Sequence, residues 1–280
     1  MGSRDGTVVA SINQFIAVSS QAQCGFVYAV TGAKHVEEAR SSAASVRRFH
    51  REPVVLITDN STSSDQFDEV IIASGFQQRF GAKISMRHSP FDRYIYLDCD
   101  CRVIGSLAEL FSLLDAFDLA VPAALGGYHY QLTGCSPAFR EHSTNMMAVR
   151  KCAATDLFFD RWAKWYEHYE NEMEGEGDQR SFRRAAYETR ELRLCTLSDE
   201  WSLSGYPGGF LCADVRLVHG RPVERLDFLE RWANRKLGYR VLLPPYRPLY
   251  APAIMTAVDW VRLIWSGAIE SAKKLLRKIR

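Results

Sequence analysis

The chain alternates between two hydrophobic patterns. In one, short runs are apolar at nearly every position, as expected of strands buried on both faces. These are Cys24–Gly32 (CGFVYAVTG), Pro53–Asp59 (PVVLITD), Asp68–Ser74, Tyr94–Leu97, Asp118–Ala123 and Ser143–Lys151. In the other, apolar and polar residues mix with helical composition and spacing, over Ala33–His50, a short piece holding Lys83, Leu107–Phe117 and Thr155–Glu170. A further helix follows the glycines of GEGDQRSFRRAAYE, Gly175–Glu188, with Asp178 at the N-cap position. Strands alternating with helices predict βαβ crossovers and a mainly parallel α/β sheet, in which ligands bind beyond the carboxyl ends of the strands. The turn at Thr31–Gly32, the end at Thr58–Asp59 and the pair Asp98/Asp100 all fall at such ends.

Asp98 and Asp100 carry the strongest chemical signal. The apolar run Tyr94–Leu97 stops at two carboxylates one residue apart, flanked by Cys99 and Cys101. In extended chain, residues i and i+2 point the same way, so the two carboxylates are expected to project together. Such a pair repels itself unless a cation sits between, and hard oxygen ligands suit Mg²⁺ or Mn²⁺. Late in the chain His219 closes another apolar strand at a Gly-Arg-Pro turn. The aromatic residues Trp162, Trp165, Tyr166 and Tyr169 lie on an amphipathic helix and are expected to be core.

Composition narrows the class only a little. The chain has 280 residues, 47% hydrophobic and 24% charged, and a net charge of +2 from 35 basic and 33 acidic residues, which is no nucleic-acid signature. Seven cysteines with no C-x-x-C pair suggest reduced thiols in a cytoplasm-like compartment rather than a zinc site. Thr7–Val18 is mildly apolar but interrupted by Ser11, Asn13 and Gln14, with no basic run before it, so neither a secretory signal nor a membrane span is expected. The C-terminal stretch Ala257–Arg280 has apolar residues at helical spacing. From Glu270 onward it carries five basic residues and one acid. Two readings stay open: a helix on an anionic membrane surface, giving peripheral contact on the cytoplasmic face, or a helix docked on the domain or in a homodimer.

In order along the chain, FVYAVTG, a lysine ahead of SPFDRYIYLDCDCRVIG, STNMMAVR, GDQRSF and VHGRP resemble the GT-A glycosyltransferases, most closely the family 8 group that includes glycogenin and bacterial galactosyltransferases. The likeness runs from about Phe26 to about Glu224. It implies an N-terminal extension over 1–23, a GT-A catalytic domain over 24–250 and an amphipathic basic helix over 251–280. It also implies a nucleotide-sugar donor, commonly a UDP-sugar, a glycan, lipid or protein acceptor, and transfer with retention. By the same resemblance, Asp98, Asp100 and His219 hold the metal, Mn²⁺ ahead of Mg²⁺. Asp98 and Cys99 adjoin the ribose, and Val30, Thr31, Gly32 and Asp59 meet base and ribose. Lys83, Gly220 and Arg221 lie near the phosphates. Asn145, Asp178 and Gln179 hold the donor sugar, with Gln179 near the reacting face and Asp178 the fallback nucleophile. The chain departs from its relatives at HGRPVE, which is shorter than their His-to-Lys-Pro-Trp segment and lacks its tryptophan. Asp199 is a weaker candidate for an acceptor-side base.

Two rival readings differ in kind. A haloacid-dehalogenase-like phosphatase also uses D-x-D, but wants it on an early strand with Thr or Val where this chain has Arg102. A non-catalytic GT-A module would bind a nucleotide sugar and act through a partner.

Overall fold

The computed structural model describes residues 23–59, 65–73, 79–124, 132–172, 178–204, 209–234 and 240–242. The expected N-terminal extension up to residue 22 and the C-terminal helix over 251–280 lie outside the described residues.

The chain begins with strand β1 (Cys24–Val30), helix α1 (Ala33–Val46), β2 (Val54–Thr58), β3 (Glu69–Ile72) and a 3-10 stretch over Arg79–His88. It continues through β4 (Arg93–Leu97), β5 (Cys101–Val103), α2 (Ala108–Leu113), β6 (Leu119–Pro122), β7 (Met146–Arg150), α3 (Ala153–Glu172), α4 (Asp178–Glu188) and β8 (Leu194–Leu197). After a 3-10 turn at Asp199–Trp201 come β9 (Leu203–Ser204), β10 (Gly209–Leu211), β11 (Leu217–His219), α5 (Val223–Trp232) and β12 (Arg240–Leu242). Seven strands form the central sheet in the order β3-β2-β1-β4-β7-β6-β8. All neighbours are parallel except at β7, which runs antiparallel to both β4 and β6. The sheet is thus mostly parallel, as expected.

The strands read as unbroken apolar runs because both faces are covered. On β1, Phe26, Tyr28 and Val30 pack with Ala39, Ala43 and Val46 of α1 and with Leu110 of α2. The alternate residues Val27 and Ala29 face the opposite layer, with Phe158, Trp162 and Phe182 from α3 and α4. Trp162 is fully buried and packs edge-on to Phe182 at 5.2 Å. Trp165 stacks on Tyr169 at 5.6 Å, so this aromatic helix is core as expected.

Two smaller sheets hang from the carboxyl side of the central one, β5-β11-β9 and β10-β12. The first has its own apolar cluster of Leu203, Val218, Leu226 and Leu229. Among the described residues no helix is long and apolar enough to cross a membrane.

A Cβ at Gly25 would lie 2.3 Å from the buried Phe91 ring. Gly25→Ala should therefore displace that ring and lower stability by about 1–3 kcal/mol in urea unfolding, with no change expected in the m-value.

Candidate active site

The centre forms where the fourth strand stops. Asp98 N–H donates to Asn145 C=O at 2.8 Å, extending the β4–β7 ladder by one step. The chain then turns, closed by Cys101 N–H on Asp98 C=O at 3.1 Å. Asp98 and Asp100 therefore converge through a turn, and the extended geometry expected from their spacing is not what joins them. Nor do the two thiols point alike: Cys99 Sγ meets Glu38, whereas Cys101 is buried with its Sγ on Asn145 C=O. All seven cysteines are free thiols.

Beyond the turn, β5 pairs antiparallel with β11, and the register sets His219 opposite Cys101. Gly220 N–H donates to Asp100 C=O at 3.1 Å. Gly220 has φ +131°, which a residue with a side chain rarely adopts, and this lets the chain turn sharply behind His219. In consequence His219 Nε2 stands 3.3 Å from Asp100 Oδ1. One potential ligand atom from each of Asp98, Asp100 and His219 falls within 4.8 Å of the others.

These groups border a cavity of about 520 Å³, in the range of small-molecule sites. Val30, Thr31, Lys83, Asp98, Cys99, Asp100, Asn145, Asp178, Gln179, His219 and Arg221 all line it, so most of the residues singled out in the sequence meet in one place. Gly32, Asp59 and Gly220 are not among its lining residues. Gly32, at φ +80°, donates its N–H to Asp59 Oδ1 at 3.3 Å, so this pair shapes the turn that carries Thr31. Asp199 is not a lining residue either.

Lys83 is the electrostatic hinge of the cavity. It is 6% exposed, and its Nζ lies 2.8 Å from Asp178 Oδ2, 3.3 Å from Asp98 Oδ2 and 3.2 Å from Thr144 Oγ1. Thr144 Oγ1 donates to the same Asp178 oxygen. The Asp178 side chain is thus committed to this buried network, where the sequence suggested a helix cap. Burial alone would lower the Lys83 ammonium, but the Asp178 and Asp98 carboxylates outweigh it and raise its pKa.

The two D-x-D carboxylates are pushed apart. Burial raises the pKa of Asp98, against Lys83 and with the Asp100 charge, while Tyr96 O–H donates to its Oδ1 at 2.6 Å. Burial also acts upward on Asp100, but the His219 hydrogen bond and charge, with Arg221, hold it down to about 2. A buried carboxylate pair with an imidazole between flanking cations fits a divalent ion: oxygen donors suit Mg²⁺ and Mn²⁺, and the nitrogen donor favours Mn²⁺.

Thr144, Tyr96, His35 and Glu38 were not singled out from the sequence. Tyr96 lies two residues before Asp98, so strand alternation could have found it. Thr144 adjoins Asn145 in STN. His35 and Glu38 share a face of α1 that only the fold brings to the site.

A mostly parallel sheet, with a metal-type cluster where its fourth strand turns into a second small sheet, defines the GT-A fold of glycosyltransferases. Solved structures similar to this chain include glycosyltransferases. Galactosyltransferase LgtC in complex with donor and acceptor sugar analogues matches at TM-score 0.54 and 12% identity, over 71% of this chain and 87% of that chain. An active-site mutant of LgtC matches at TM-score 0.53 and 12% identity, over 71% and 87%. The apo form of glycosyltransferase GlyE from Streptococcus pneumoniae TIGR4 matches at TM-score 0.52 and 15% identity, over 78% of this chain and 58% of that chain. At these identities the likeness is one of fold. No family model and no curated protein matches the chain.

Removing the Lys83 charge should leave two carboxylates buried without compensation. Lys83→Met is expected to cost about 3–5 kcal/mol in urea unfolding, with part of the loss recovered on acidification as the carboxylates take up protons. The cation must also compete with the proton on Asp98, whose pKa burial raises. Stabilisation by Mn²⁺ in thermal melts should therefore be larger at about pH 7 than at about pH 5.

Proposed function

We propose that the chain is a metal-dependent glycosyltransferase that takes its sugar from a nucleotide-sugar donor, a UDP-sugar first among the candidates, and transfers it with retention in the manner of family 8. The observation that carries this reading is the meeting of Asp98, Asp100 and His219, within 4.8 Å, on a cavity also lined by Asn145, Asp178 and Gln179. Asp98, Asp100 and His219 would hold Mn²⁺, or Mg²⁺ in its place. When bound, the ion supplies positive charge against which a diphosphate leaving group can depart.

The remaining roles follow the chain's own groups. Val30 and Thr31, on the turn set by Gly32 and Asp59, offer backbone and side chain to the base and ribose. Cys99, half-buried between the two aspartates, stands with Asp98 at the ribose, its thiol kept protonated by burial and by the adjoining carboxylates. Arg221, after Gly220, adds charge at the phosphates in place of the longer segment of the relatives. Asn145 is well suited to a sugar hydroxyl. Its Oδ1 accepts from Ser202 Oγ at 3.1 Å, and its Nδ2 is buried without a partner, an unmet donor that a small turn of the amide would present to a ligand.

Asp178 is ion-paired to Lys83 and accepts from Thr144. A carboxylate so compensated is a weak nucleophile, which favours front-face attack, with the leaving phosphate taking the acceptor's proton and Gln179 beside the reacting face. The acceptor, whether glycan, lipid or protein, would be met by the later segments 125–141 and 197–209, each lying partly outside the described residues.

Asp100→Asn should abolish Mn²⁺-dependent binding of UDP-sugars in isothermal titration while leaving the thermal unfolding cooperative. Unchanged Mn²⁺-dependent binding would defeat the assignment. A nucleotide sugar present at about 100 times its Kd should stabilise the wild-type chain by about 2.7 kcal/mol, so a panel of donors screened with Mn²⁺ ranks base and sugar together. Tight binding with no hydrolysis or transfer would instead mark a non-catalytic module.

A further inference from the structure

One member of a cluster on the outer rim of the cavity, Glu38, has no part in the roles above. Glu38, on α1, accepts a charge-assisted hydrogen bond from Arg221 Nη2 and another from Cys99 Sγ at 3.4 Å. Arg221 Nη2 also reaches Cys99 Sγ at 3.4 Å, and Nη1 stands 3.6 Å from Asp100 Oδ2. One guanidinium thus spans two carboxylates, one in the candidate metal centre and one on the first helix. Arg221 lines the cavity and Glu38 does not. The Arg221 side chain is 48% exposed and that of Glu38 24%, so the pair sits where an entering anion can reach it.

Guanidinium binds carboxylate and phosphate through the same planar fork of N–H groups. The fork cannot serve both at once. While Glu38 holds Nη2, the edge best placed to receive a phosphate is occupied by the protein's own anion.

We propose that Glu38 is an internal stand-in for the donor's diphosphate. It parks Arg221 beside α1 until a donor binds, and donor entry exchanges one anion for another across the guanidinium. Glu38 is therefore a positioning residue, acting through Arg221. The identity of the entering anion rests on the nucleotide-sugar reading above, but the exchange itself needs only a diphosphate.

The test is isothermal titration of the full chain, with Mn²⁺ in excess, using inorganic pyrophosphate and UDP as separate probes. Glu38→Gln keeps the shape and removes the charge, and should bind pyrophosphate roughly fivefold tighter, the upper range for releasing a partly exposed ion pair. In an Arg221→Ala background the same substitution should give no gain. A role in folding alone would not produce that coupling, and Glu38→Ala repeats the cycle if the glutamine variant does not fold. Equal or weaker binding by Glu38→Gln, or an equal gain with and without Arg221, overturns the proposal. Pyrophosphate binding in the predicted pattern without any UDP binding upholds the exchange and removes the nucleotide reading. UDP binding indifferent to Glu38 does the reverse, and binding of neither probe to the wild type removes both.

Discussion

Three aspartates, Asp98, Asp100 and Asp178, share the walls of one cavity, and their mutual repulsion is the constraint around which the site is arranged. Lys83 answers most of it from below, ion-paired to Asp98 and Asp178 while itself almost wholly buried. Arg221 and His219 answer the remainder at the rim, both against Asp100. Asp98 and Asp100 are thus pushed in opposite directions, burial raising the pKa of Asp98 and the His219 and Arg221 contacts lowering that of Asp100. A divalent ion fits such a place because it satisfies both carboxylates together, which no single side chain here does.

The scaffold explains why those side chains meet. Asn145 C=O takes the N–H of Asp98, so the start of β7 and the end of β4 are fixed to each other. The antiparallel course of β7 brings Thr144 and Asn145, just before its first residue, to the carboxyl end of β4, where a parallel strand would have delivered the end of its run instead. The small β5-β11-β9 sheet then sets His219 against the turn by register. Each contact depends on backbone pairing, and the polar side chains inherit their positions from it.

Much of this was legible in the sequence. The apolar runs at residues 24–30, 54–58 and 94–97 announced strands covered on both faces, and the helices between them announced a parallel sheet. Asp98, Asp100 and His219 could be grouped because the order of motifs along the chain, an acidic pair after a strand and a late His-Gly, resembles that of the GT-A enzymes. The manner of their meeting was not legible, because spacing alone cannot distinguish a turn from extended chain. Asp178 read as a cap because its partner Lys83 lies far off in sequence, and a cap was the best local use for it. The antiparallel direction of β7 was hidden for the same reason, since an apolar run carries no sign of its direction. Glu38 gave no signal at all: on α1 it looks like any solvent-facing glutamate until the fold sets Arg221 beside it.

The pairing of β5 with β11 carries a consequence for how the molecule comes into being. Most of the central sheet is made from the first part of the chain, and neighbouring pieces such as β1, β2 and β3 can associate as soon as they exist. The imidazole arrives only after β8 and the segments beyond it have been laid down, and contacts so distant along the polypeptide close slowly. A nascent chain leaving the ribosome would therefore display its acidic turn well before His219 could join it. Completion of the Asp98–Asp100–His219 cluster thus belongs to the end of assembly, and a prematurely terminated product would carry a sheet without that cluster.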